Sequence, residues 1–228
     1  MSEGRCDEVI EVLVVKASDI AKLLSKPPEG DEVSLKFGKI FEEEYTLANH
    51  IYSLAWNVGK IPRLFIRKVA ARLRSEGIYS RELVLKAYRA YSALLKAGVV
   101  GEKPSTHFKE FKDFIFIAAQ PDLYDMFTDT YYEFKLYPIN DYARVQARVF
   151  AWVLGKPIVL IGLKEGLDKY FEVEREVITP PNTLDVSPEE LRRIAHTEEL
   201  CKDLKIPVHM FMKYRIRYSY EVDEELTP

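Results

Sequence analysis

Asp122, Glu133 and Lys135 are the residues of this 228-residue chain whose types and spacing combine most readily into chemistry. The stretches 113–125 (DFIFIAAQPDLYD) and 131–137 (YYEFKLY) read as paired strands around a loop at 126–130. If Asp122 and Glu133 are cross-strand partners, the turn midpoint falls between Phe127 and Thr128, and their Cβ atoms come to roughly 5 Å. Side chains alternate along a strand, so Glu133 and Lys135 share one face while Phe134 points to the other. Two carboxylates and an ammonium on one face are costly to leave dry and unpaired. A divalent cation answers that cost: carboxylates suit Mg²⁺ or Mn²⁺, which keep several waters. Such a cation can polarise a phosphodiester and lower the pKa of a bound water, while Lys135 orients that water or stabilises developing charge. The plainer alternative is a surface hairpin in which Glu133 and Lys135 form an ordinary ion pair.

Eleven residues after Lys135 comes Gln146, in a predicted helix at about 140–154. Tyr142, Gln146, Val149 and Val153 fall on one helical stripe, which sets an amide on an otherwise apolar face, where it needs partners. Pro121-Asp122, then Glu133-Phe134-Lys135, resembles the signature of the PD-(D/E)XK nuclease superfamily. Gln146-Ala-Arg-Val-Phe150 resembles the Gln-x-x-x-Tyr motif of its RecB-like branch, which includes the CRISPR-associated exonucleases. The resemblance covers about residues 111–163. It implies a metal-dependent DNase with a restriction-endonuclease-like core. Asp122 and Glu133 would hold Mg²⁺ or Mn²⁺ with help from the Phe134 carbonyl, Lys135 would act on the attacking water, and Gln146 would brace the site.

Upstream, Ser18-Asp19-Ile20 and Gly38 resemble the opening of RecB-like nucleases, but the spacing that should deliver a metal-binding histidine lands on Glu42. Helix geometry offers Glu44 instead, on the stripe Ile40, Glu44, Leu47, Ile51, and burial favours Glu44 slightly over Glu42 as a further metal ligand. Many CRISPR-associated members hold an iron–sulfur cluster through four cysteines. With Cys6 and Cys201 alone, this chain would be a cluster-free relative. Arg144 and Arg148, four apart on the helix of Gln146, could reach a phosphate beside the metal or form solvated pairs. A catalytically silent nucleic-acid-binding or assembly protein, or an RNA-cleaving enzyme, on the same scaffold is the alternative.

These residues need elements to hold them. A Val-rich strand at 8–16 precedes a short helix capped by Ser18, which ends at Pro27-Pro28. Helices follow at about 38–56, 63–74 and 80–96, the last with Ser80 as N-cap and Gly98 as stop. After the hairpin and the helix at 140–154, the apolar run at 157–163 (PIVLIGL) fits a strand buried on both faces. A strand at 170–178, a helix at 187–204 and a strand at 207–222 complete the chain. The expected fold is mixed α/β (α+β): a central mixed sheet flanked by helices, with an N-terminal helical layer. It is read as one domain over 1–228, mainly helical to 110, with the motif region at 111–163 and a C-terminal extension at 164–228.

Composition narrows the class. At 47% hydrophobic and 30% charged residues, the chain is an ordinary globular protein. No apolar run approaches the ~18–20 residues of a membrane span, and MSEGRCDE lacks a signal-peptide layout, so a cytoplasmic protein is expected. Scarce Asn and Gln hint at a thermophilic source. The net charge is −3, yet 60–112 is basic, and such a segment either meets phosphates or coats solvated helices. The segment from Lys213 to Tyr220 interleaves basic and aromatic residues, as a single-strand track or a charged edge strand would. His50, His107, His196 and His209 show no metal-ligand spacing. There is no phosphate-binding GxxxxGK[ST] loop and no GxSxG nucleophile motif. DNA is the expected partner, and a homo-oligomer is left open.

Overall fold

The computed structural model describes residues 12–54, 61–166, 170–197, 200 and 202. Strand β1 (Leu13–Lys16) leads directly into α1 (Ala17–Leu24). Helices α2 (Glu32–Leu54), α3 (Ile61–Ser75) and α4 (Arg81–Lys96) come next, then β2 (His107–Lys112), β3 (Ile115–Ala119), β4 (Leu123–Asp125) and β5 (Thr130–Lys135). Helix α5 (Asp141–Leu154), β6 (Ile158–Glu165), β7 (Phe171–Ile178) and α6 (Pro188–Ile194) follow. The molecule is a mixed α/β protein with helices packed against strands.

Among the described residues the strands form two mixed sheets rather than the single central sheet expected. One has the order β1-β3-β2, with β1 parallel to β3; the other has the order β4-β5-β6-β7, with β5 parallel to β6. The expected 113–125 strand is interrupted at Gln120–Asp122, where the chain leaves β3 and enters β4. Pro121 accounts for the interruption, because it has no N–H for a ladder and restricts its neighbour. Strand β2 lies mostly within the 1–110 region expected to be mainly helical.

The hairpin register is as the sequence predicts. Leu123 pairs with Tyr132 and Asp125 with Thr130, so continuing one step sets Asp122 opposite Glu133. Strands β5 and β6 are buried on both faces. Tyr132, Phe134, Val159, Ile161 and Leu163 pack into one apolar cluster with α2, α3 and α4. Tyr131, Ile158 and Leu160 pack into another with α1, α5, β1 and β3. A parallel pair needs a crossover, and α5 supplies it. Asn140 starts α5 by accepting a hydrogen bond from Ala143 N–H (2.9 Å), and Gly155 ends it at φ 64°.

Helix α2 begins at Glu32, earlier than expected, and its buried stripe is set by Phe37, Ile40, Phe41, Tyr45 and Ala48. Leu47, expected inside, is 45% exposed. The aromatic rings decide the rotation, because they carry more apolar area than Leu47. Phe134 of β5 lies edge-on to Tyr45 (5.3 Å between ring centroids) and Phe41 (6.2 Å). Tyr45 also donates its hydroxyl to the Val99 carbonyl (2.6 Å). The basic residues of α3 behave as a solvated face: Arg63, Arg67, Lys68 and Arg74 are exposed opposite buried Phe65, Val69 and Leu73. The expected helix at 187–204 is interrupted: α6 stops at Ile194, Thr197, Leu200 and Lys202 are again helical, and 198–199, 201 and 203–204 lie outside the described residues. The expected strand at 207–222, with Lys213–Tyr220, lies outside the described residues, as do Cys6, Cys201 and His209. Among the described residues no helix is long and apolar enough to cross a membrane.

Candidate active site

Period-two alternation along β5 turns Tyr131, Glu133 and Lys135 to the α5 side and Phe134 to the α2 side. Where the ends of β1 and β5 approach α5, a cleft of about 400 Å³ opens, lined by Asp122, Glu133, Lys135, Gln146 and Glu42. Lys16, Ser18, Thr106 and Gln120 line it as well. The four core positions read from the sequence are therefore brought together.

Asp122 is fixed through Oδ2, which accepts the Phe134 N–H at 2.8 Å. The Pro121 interruption makes this bond available, since Asp122 precedes the β4 ladder rather than sitting in it. Glu133 is 2% exposed. Its Oε1 accepts from Lys135 Nζ at 2.6 Å, and its Oε2 is buried with no hydrogen-bond partner.

Burial, reinforced by Glu133 and Glu42, raises the pKa of Asp122 well above the usual carboxylate range, against the opposing pull of Lys135 and the Phe134 N–H. Burial and Glu133 also raise Glu42. For Lys135, burial acts to lower the pKa, but Glu133 and Asp122 outweigh it and hold the ammonium above its ordinary value. The centre is thus crowded with acid and short of positive charge.

The remaining expected residues divide. Helix α2 brings Glu42 into the cleft. Glu44 is buried as expected but points to α3, where Arg72 Nη1 lies 3.6 Å from its Oε1. The slight preference for Glu44 over Glu42 is corrected by the aromatic stripe that sets the rotation of α2. Arg144 is taken up by Glu176 of β7 (Nη2–Oε1 2.7 Å) and by Asp141 (3.1 Å). Arg148 is exposed on the same helix and adds its field to Glu176; neither arginine lines the cleft. Gln146 lines it, but its buried Oε1 has no partner, so it faces the cleft rather than bracing the hairpin through that atom. His107 lies edge-on to Tyr131 (5.7 Å), and His196 is exposed.

Other residues join the site unannounced. Ser18, expected as the cap of α1, lies inside the helix: the cap position is Lys16, without a side-chain cap bond, and Ser18 lines the cleft. Gln120 is held by donating its amide to the Pro104 carbonyl (2.8 Å). Burial raises the hydroxyl pKa of both Tyr137 and Tyr142, and both lie within the field of Lys135 and Glu133. Tyr137 lies beyond the end of β5, where the chain bends, so the strand alternation that places Glu133 and Lys135 does not place it.

Asp122, Glu133 and Glu42 do not form a three-carboxylate cage: among the described residues no group of three His, Cys, Asp or Glu is arranged to hold a metal. The donor set suits a hard cation held by two carboxylates and several waters, as Mg²⁺ commonly is. The unpartnered Glu133 Oε2 supports that fit. Comparison with known proteins returned no matching family model, no matching curated protein and no matching solved structure.

Proposed function

We propose that the protein is a Mg²⁺- or Mn²⁺-dependent nuclease that hydrolyses DNA phosphodiester bonds, of the RecB-like type its motifs resemble. The observation that carries this reading is the convergence of Asp122, Glu133 and Lys135 in one cleft, with Glu133 Oε2 buried and unpartnered. When bound, the cation would supply Lewis acidity toward a phosphoryl oxygen and a water of lowered pKa. Asp122 and Glu133 would hold it, Asp122 positioned through its bond from Phe134 N–H. Lys135, a donor beside both carboxylates, orients the attacking water and offsets charge developing on the phosphate. Glu42 adds negative field at the α2 side, and Gln146 offers its amide to the substrate or to the cation's waters.

One observation favours the silent scaffold instead. Lys135 Nζ already sits 2.6 Å from Glu133 Oε1, so part of that carboxylate is neutralised within the protein. Cleavage of single-stranded, duplex and branched DNA, and of RNA, with and without Mn²⁺, separates the readings. Asp122→Ala and Lys135→Ala are expected to lower the Mn²⁺-dependent rate by at least about 10²–10³-fold, the scale of losing one transition-state charge stabiliser, while far-UV circular dichroism stays native. Full activity in either variant removes the assignment. A wild type that binds DNA and leaves it uncut selects the silent scaffold.

A further inference from the structure

On the α2 side of Glu42 and Lys135 lies a second cavity, of about 370 Å³, to which both residues also contribute. This is within the ~300–1,000 Å³ range of small-ligand sites. Its character differs from the carboxylate cleft: Leu35, Phe37, Leu83, Leu136 and Tyr137 make much of its wall, with Lys86, Ser34 and Glu29 as polar groups. The Lys86 ammonium stands 5.8 Å from the Phe37 ring centroid.

Gly38 lines the same cavity. It sits inside α2, where glycine is less stable than alanine, and a Cβ there would meet nothing within 4 Å. Neither a turn nor close packing requires glycine at this position. What the missing side chain does is leave the cavity wider.

We propose that this cavity is a subsite for one unpaired nucleobase of the strand whose phosphodiester lies at Asp122 and Glu133. The inference rests on the nuclease reading for its choice of ligand. Its grounds are the shared Glu42 and Lys135, which set an apolar site directly beside the phosphate site, and the wall of aromatic and aliphatic groups, on which a base face packs in a sequence-tolerant way. A base enters such a cavity only when it is unstacked and unpaired. The preferred substrate is therefore a single strand or a frayed end, not a closed duplex.

The test is binding of a single-stranded DNA dodecamer carrying 2-aminopurine at successive positions, with Ca²⁺ in place of Mn²⁺, compared with the blunt duplex. In the wild type, fluorescence changes at one position. Gly38→Phe fills the cavity, abolishes that change and weakens single-strand binding about tenfold, within the range of losing one stacked base, while duplex binding is unaltered. If Gly38→Phe does not fold, Leu35→Ser takes its place, removing an apolar wall group at a residue 65% exposed. It is expected to weaken single-strand binding and the position-specific signal while duplex binding is unaltered, and unchanged single-strand binding in it overturns the subsite equally. Unchanged single-strand binding in the filled variant overturns the subsite, as does a change in oligomeric state alone, which would mark the cavity as a protein contact. If Mn²⁺-dependent cleavage persists in that case, the nuclease reading stands without the subsite. If the position-specific signal is lost on filling but no cleavage is found, the subsite stands and the nuclease reading falls.

Discussion

Glu133 Oε2 ends in the cleft without a hydrogen bond, and Asp122 beside it is held at a raised pKa by burial, Glu133 and Glu42. A site arranged only for stability would not gather acids in this way, because each buried charge loses hydration that its neighbours do not restore. Replacing Asp122 by Asn keeps an acceptor for the Phe134 N–H and removes one of the repelling charges. Asp122→Asn is thus expected to stabilise the metal-free protein by roughly 1–3 kcal/mol, the range for a poorly compensated buried polar group, while abolishing Mn²⁺ binding. Urea denaturation in EDTA measures the first and calorimetric titration the second. A destabilised Asp122→Asn would mean that the charge is compensated in a way the hydrogen bonds do not reveal.

Elements place these side chains by close approach. Gly162 of β6 pairs with Lys135, and the segment leaving β5 folds back over it. A Cβ at Gly162 would lie 2.7 Å from both the Ile139 nitrogen and its Cγ1. Leu163 N–H donates to the Tyr137 carbonyl (3.1 Å) and Ile139 N–H to Glu174 Oε2 (2.7 Å), which ties that segment to β6 and β7. Because the crowded atoms include backbone, Gly162→Ala is expected to lose about 1–3 kcal/mol, the usual penalty of overpacking. It should also disturb Lys135 and the start of α5. Equilibrium unfolding, read together with the cleavage rate, checks this; an alanine variant of native stability would show that the 136–139 segment can yield.

At the scale of the whole molecule, the site lies where two apolar cores meet across β5. One core holds Phe134 against α2, and the other holds Tyr131 with α5 and β3. A cation bound at Asp122 and Glu133 would therefore be linked to folding of both layers. At a hundredfold excess over its Kd, Mn²⁺ should stabilise the fold by about 2.7 kcal/mol. For a chain of this size that is a Tm increase of roughly 5–11 °C, absent in Glu133→Ala. Differential scanning calorimetry with and without Mn²⁺ measures it, and an equal shift in both proteins would place the cation elsewhere.

Local pattern was enough for much of this. The hairpin register follows from where the turn falls, and the α5 limits follow from Asn140 and Gly155. The burial of 157–163 follows from its unbroken apolar run, and the shared face of Glu133 and Lys135 follows from the two-residue period of a strand. None of these requires knowledge of a distant partner. What only the tertiary structure decided depends on contacts between segments far apart in the chain. Two sheets replace one because β3 pairs with the distant β1 while β4 pairs with β5. Glu42 rather than Glu44 enters the cleft because Phe41 and Tyr45 dock on Phe134 and set the rotation of α2. Arg144 is drawn to Glu176, a residue on β7 that no local spacing could have named. Sequence spacing determined which groups share a face; packing between layers decided which of those faces meet.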